Sequence, residues 1–369
     1  MESLYGNKTN NSNHKEFTPN AGIYFLVVTI VMTAIVSIFG NLLVHIAFWR
    51  DTSLRKSSPA ILVMALATSD FCMAAFIMPL TVMTALHGEW PQSHDLCVAS
   101  GFLNTVLTAI QFGILFSISV NRYIAVTFPH RYQLNWKPTT TYKMLLIVLL
   151  HSLLWSIAPF CGWGGYDYIH GTLFCNINWS QHKAHSTSLL VFCYIIPAVV
   201  ASMLYIAVFL KVRKIRQSQQ REVNQMDSGS GQETGSTSIE KNERSSNNGD
   251  NCRTCENEPS LSPGTRGDIH GSYVSVNSVI RLRKRELQVT SSLLLVATAF
   301  AIFWLPRGLV NFIAIVNGRD SIPRAAEYTT TVFIFMSSFI NPIIYAFFQR
   351  QYKKAFKEIL SGMIMYFRQ

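Results

Sequence analysis

The sequence predicts an all-α membrane protein: a seven-transmembrane helix bundle with a short amphipathic surface helix after the seventh helix. Three observations carry this. Of 369 residues, 49% are hydrophobic and only 14% charged, where a soluble domain carries about a quarter charged. The charges cluster between long apolar runs, and seven of these runs can cross a hydrocarbon core of about 30 Å as a helix of about 20 residues. Lys and Arg, moreover, crowd into alternate connecting segments.

In order, the spans run from Gly22 to Trp49, Ser58 to His87, Leu96 to Thr127, Tyr142 to Trp163, Ser186 to Val212, Leu287 to Val316 and Ala325 to Phe348. In hydrocarbon every backbone polar group must pair within its own segment, and runs this long without alternation are helices. A large soluble helical core would need polar faces that these segments lack. The start of the chain is polar and Asn-rich, without the apolar stretch of a signal peptide. Membrane entry is therefore expected to be driven by the first span.

One set of loops holds Arg50, Arg55 and Lys56, then Arg131 and Lys137, then Lys211 to Arg216 with Arg281 to Arg285, then Arg350, Lys353, Lys354 and Lys357. The other set is sparse. The positive-inside rule places the N-terminus outside and the C-terminus in the cytoplasm, with the plasma membrane as the expected location. The net charge of +11 follows from this topology, so nucleic acid is not an implied partner. Asn7, Asn10 and Asn178 open glycosylation sequons, all in outside segments. Cys97 opens the third span and Cys175 lies in the longest outside loop. Both fall in the oxidising compartment, and a bridge between them would staple that loop across the bundle. Cys72, Cys161 and Cys193 read as small apolar residues. Cys252 and Cys255 form a CxxC with no second pair nearby, so no metal site is expected.

Residues 217–277 turn to Ser, Asn, Glu, Gly and Thr without apolar period, which predicts a disordered cytoplasmic loop, either regulatory or a passive linker. After the seventh span, Phe348, Tyr352, Phe356, Ile359 and Leu360 recur at helical spacing opposite Arg and Lys. That pattern predicts a helix lying on membrane lipid. The chain thus divides into an outside tail at 1–21, a membrane domain at 22–348 and a surface helix with tail at 349–369. A channel or transporter would show internal repeats or a line of midplane charges; Asp70 is the one charge at that depth. An enzyme would need a catalytic cluster, and His45 and His151 stand isolated.

Polar residues at membrane depth are functional by default. They recur in order here: Asn41 after Gly40, Asp70 in "LATSDF", Arg122 in "NRY", Trp155, Pro197 with Tyr205, "FWLP" at Phe303 to Pro306, and "NPIIY" at Asn341 to Tyr345. This set, on these helices, resembles the rhodopsin-like (class A) G-protein-coupled receptors, in an opsin-, melatonin- and amine-like branch. The resemblance covers all seven helices and the surface helix. It implies a receptor that binds a small extracellular ligand and activates a heterotrimeric G protein, with arrestin and receptor kinases as further partners.

Arg122 lies 25 residues after Cys97, roughly 37 Å along a helix, so it reaches the inner rim if Cys97 sits at the outer one. The resemblance implies that Arg122 is a switch, locked by Glu286 when inactive and received by Tyr205 and Tyr345 when active. Tyr123 completes the motif. Asn121 replaces the acid that precedes this arginine in most relatives; an amide bonds but does not neutralise, so raised basal activity is expected. Pro306 kinks the sixth helix into a hinge, and Trp304 above Phe300 passes ligand contact to it, while Asn341, Pro342 and Tyr345 form the matching element of the seventh helix. Asp70, Ser337 and Ser338 with Asn341 resemble the family's internal sodium site. Gln111 departs from it: its amide either replaces the ion's ligands or plugs the site.

Asn104, Trp304, Phe335, Glu327, Leu189 and Arg307 are the candidate ligand contacts. The outside loop "GWGGYDYIHGTLFCNINW" resembles that of opsins, but Phe335 stands where a retinal Schiff base needs lysine, so covalent retinal is not an expected cofactor. An opsin-like photoreceptor without that lysine remains the alternative. Asn104 stands where amine receptors place aspartate. Arg307, buried near Trp304, needs a partner: either an anionic ligand, or an internal salt bridge to Glu327, Asp167 or Glu89.

Overall fold

The computed structural model describes residues 18–180, 182–229 and 266–367. Seven helices in it are long and apolar enough to cross a membrane. They are α1 (Ala21–Arg50), α2 (Ser58–His87), α3 (His94–Thr127), α4 (Pro138–Cys161), α5 (from Lys183, spanning to Ile215), α6 (Arg266–Asn317, spanning from Leu287) and α7 (Arg324–Phe348). An eighth, α8 (Arg350–Phe367), follows directly. Each span expected from the sequence falls on one of these helices.

The chain forms two compact units, one of Met1–Val208 with Val289–Gln369 and one of Phe209–Gln288. The second holds the far ends of α5 and α6, where helix continues to Gly229 and resumes at Arg266. The loop expected to lack regular structure over 217–277 is therefore helical at both ends. The run "KVRKIRQSQQREVNQM" consists largely of good helix formers, and propensity carries the helix past the end of the apolar stripe. Residues 230–265, with Cys252 and Cys255, lie outside the described residues, as do Asn7 and Asn10.

Local signals set the helix ends. The Asn20 side chain accepts from the Ile23 amide at 3.0 Å to start α1, and Ser93 does the same for α3 at Leu96. Gly88 ends α2 at φ 77°, a left-handed position that suits glycine. Two π turns interrupt the spans, Met73–Ile77 in α2 and Leu190–Ile195 in α5. Each lies just before a proline, Pro79 and Pro197, whose missing N–H breaks the ladder and leaves room for one extra residue per turn.

Within the first unit, α1 packs on α2 and α7, and α3 packs on α2 and α4. The outward faces carry large apolar residues such as Phe25 (77% exposed) and Leu154 (70% exposed), which is stable only against lipid. The inward face is the polar one: Asn41, Asp70, Gln111 and Arg122 are all buried. α8 packs Tyr352, Phe356 and Ile359 into the core of the bundle rather than leaving them to lipid, while Leu360 is exposed.

Candidate ligand site and transmission core

One end of the bundle is closed by the loop after α4. Its hairpin pairs β1 (Tyr166–Asp167) with β2 (Asn176–Ile177), antiparallel, with Tyr166 opposite Ile177. The Cys97–Cys175 disulfide ties this hairpin to the start of α3. The Tyr166 hydroxyl donates to the Ser156 carbonyl at 2.8 Å, and burial raises its pKa. Asn178 is half-buried, and its side chain accepts from the Ser180 hydroxyl of its own sequon at 3.1 Å.

Beneath this lid lies a partly open cavity of about 50 Å³. Asn104, Thr108, Trp179, Asn311, Arg307 and Trp304 are among its walls. Asn104 Oδ1, Asn311 Oδ1 and Trp179 Nε1 are buried without hydrogen-bond partners among the described residues. Unpaired buried polar atoms cost free energy, so this cavity is built to hydrogen-bond something.

Three candidate contacts lie outside the cavity: Leu189, Phe335 and Glu327, the last held behind Arg307 in a salt bridge. Leu189 is fully buried outside the cavity, and Leu190 lines it instead; the π turn that starts at Leu190 resets the helical phase. Phe335 also lies outside it, packed against Phe174 with ring centres 6.2 Å apart, and Ile334 takes the wall position.

Arg307 resolves in favour of the internal salt bridge. Its Nη1 donates to Glu327 Oε2 at 2.7 Å and to Thr330 Oγ1 at 3.4 Å. Arg319, in the turn before α7, pairs with the other carboxylate oxygen at 2.6 Å. Burial pulls the Arg319 guanidinium below its usual range, against the pull of Glu327. Phe174 covers the Arg307 guanidinium at 5.6 Å.

The cavity floor is an aromatic cluster. Phe112 touches Phe300 (4.9 Å) and Trp304 (5.3 Å), and Phe300 stacks on Trp304 (5.4 Å). Trp304 Nε1 donates to Ser337 Oγ at 3.2 Å, joining α6 to α7 two residues from Pro306. Ser337 therefore serves Trp304. The polar set below it is Asp70, Gln111 and Asn341: Gln111 Nε2 and Asn341 Nδ2 each donate to a different Asp70 oxygen at 2.8 Å. Asn41 ties α1 to the Ser338 carbonyl at 3.1 Å. A hard cation needs oxygens turned toward it. Here two amide N–H groups point at the carboxylate, while the Gln111 and Asn341 amide oxygens stay unpaired among the described residues.

At the opposite end of the bundle, Arg122 is fully buried. Its Nε donates to Asn121 Oδ1 at 3.0 Å and its Nη2 to the Tyr132 hydroxyl at 3.2 Å, and Asn121 Nδ2 donates to the same hydroxyl at 3.3 Å. The hydroxyls of Tyr205 and Tyr345 are buried without partners among the described residues. The Glu286 side chain lies outside the described residues. Tyr123 contacts Phe128 edge-on at 6.3 Å.

Sequence reasoning missed Phe112, Tyr132, Arg319 and the lid residue Phe174. Phe112 was within reach, since Asn104, Thr108 and Phe112 fall at i, i+4 and i+8 on one face of α3. Tyr132 lies in a short helix beyond the end of α3, where no period links it to Arg122.

A seven-helix bundle with a lidded cavity above a tryptophan hinge and a buried arginine at the far end defines a membrane receptor of the rhodopsin class. Residues 40–345 match the family described as 7 transmembrane receptor (rhodopsin family), and the chain belongs to it; it is a receptor and not an enzyme. Among its relatives, Melanopsin-B of Xenopus laevis is 24% identical over 348 residues, covering 91% of this chain and 54% of its own. The G-protein coupled receptor moody of Drosophila melanogaster is 24% identical over 349 residues, covering 91% and 51%. The chain spans about half the length of the curated relatives it matches. The crystal structure of squid rhodopsin shares the fold, with a TM-score of 0.68 at 18% identity over 94% of this chain and 87% of that one.

Proposed function

We propose that this receptor binds a small uncharged extracellular ligand above Trp304 and signals to a heterotrimeric G protein with raised basal activity. The observation that carries it is the continuous link from cavity to hinge: Trp304 is both a cavity wall and the partner of Phe112, Phe300 and Ser337. Arg307 already pairs with Glu327, so its guanidinium is not free for an anionic ligand, even though the Arg307–Glu327–Arg319 cluster keeps a net positive charge. Two Asn carbonyls and an indole N–H without partners favour a neutral ligand with both donors and acceptors.

Asn121, the residue before Arg122, accepts from its guanidinium as a neutral amide. A neutral acceptor holds a guanidinium more weakly than a carboxylate does, which supports basal signalling. In this reading the N-terminus is extracellular, Asn7, Asn10 and Asn178 accept glycans, and arrestin and receptor kinases meet the cytoplasmic face at the plasma membrane.

G-protein activation in transfected cells tests the proposal. Wild type should signal without added ligand, Asn121→Asp should lower that signal and Glu286→Ala should raise it. Trp304→Ala should uncouple ligand from signal. Nil basal activity that neither switch substitution moves would refute the basal reading, and an ion current without G-protein activation would refute the receptor reading.

A further inference from the structure

We propose a second binding site, for an anionic phospholipid, in the trough between α1, α7 and α8. The trough holds about 560 Å³, and its walls are almost wholly apolar, Leu43, Phe339, Ala346 and Phe356 among them. Gly40 and Pro342 form part of its lining. A side chain at Gly40 would place its Cβ 3.0 Å from the Pro342 ring, so the two helices close here around the hinge proline of α7.

The trough does not end in apolar residues. Lys353 and Lys357 line it, and they are the charged residues among its walls. Both are exposed, one helical turn apart, and neither forms an ion pair among the described residues. Like charges at this spacing repel, and an anion between them removes that cost. Lys354 behaves differently: it lies 3.8 Å from Glu358 and does not line the trough.

An apolar channel inside the bilayer, with two unmatched ammonium groups where the helix meets the membrane surface, fits one occupant of the leaflet. The acyl chain lies along α1 and α7, and the phosphate sits at Lys353 and Lys357. A neutral sterol would leave both lysines unmatched. Because the chain passes Pro342, occupancy bears on the same α7 segment that holds Asn341 and Tyr345.

The test is lipid retention by the purified full chain, followed by native mass spectrometry with phosphatidylserine and phosphatidylcholine in equal amounts. Wild type should retain phosphatidylserine in preference. Lys353→Gln with Lys357→Gln should weaken that retention roughly thirtyfold, the effect of two basic side chains near an anionic surface. Lys354→Gln, which removes a neighbouring positive charge outside the trough, should leave it intact. Equal retention of the two lipids by wild type, or an equal loss in Lys354→Gln, overturns the proposal. Neither readout depends on ligand or G protein, so this site and the receptor reading fail separately.

Discussion

Arg307 and Asp70 are charges that hydrocarbon would not tolerate alone, and each is held by a different device. Glu327 sits between Arg307 and Arg319, so removing it strands two buried cations. Glu327→Gln should cost about 3 kcal/mol in thermal unfolding. Arg307→Met should cost less, because Arg319 still pairs with the carboxylate. Asp70 instead takes two amide donors. Replacing sodium by choline at constant ionic strength should leave the unfolding temperature of the wild type unchanged, while Gln111→Ser should introduce a sodium dependence. A sodium-sensitive wild type would show that the amide of Gln111 does not close the site.

At the level of elements, prolines and glycines decide where helices bend and how closely they pack. Pro306 and Pro342 lie inside α6 and α7, where each removes a hydrogen bond, and the Trp304–Ser337 bond ties the two bent helices together. The π turns before Pro79 and Pro197 change helical phase, which is why Leu190 rather than Leu189 faces the cavity. Gly113 sets the contact of α3 with α4: a Cβ there would lie 2.5 Å from Val148 Cγ1. Gly113→Val should therefore destabilise the receptor by about 1–3 kcal/mol, read as a lower unfolding temperature, and Val148→Ala in the same chain should recover part of the loss.

For the whole bundle, the Cys97–Cys175 bridge spans a sequence separation of 78 residues. Closing so long a loop restricts the unfolded chain, by up to about 4 kcal/mol on the chain-entropy account. Cys97→Ser with Cys175→Ser should lower the unfolding temperature and make it insensitive to reductant, whereas the wild type should fall to the same value when reduced.

The seven spans, their boundaries to a few residues, the surface helix and the motif residues Asp70, Arg122, Trp304, Pro306 and Asn341 were all legible in the sequence. Each depends on local composition or on distance along one helix. The partner of Arg307 was not, since Glu327, Asp167 and Glu89 were equal candidates until α6 and α7 came together. Nor was the reach of Tyr132 to Arg122, or the exchange by which Ser337 serves Trp304 and Gln111 serves Asp70. Hydrophobic periodicity determines that a helix forms and which face turns inward. Which inward residues meet depends on helix phase, shifted by two π turns, and on the packing of helices far apart in the chain, and only the tertiary structure decides that.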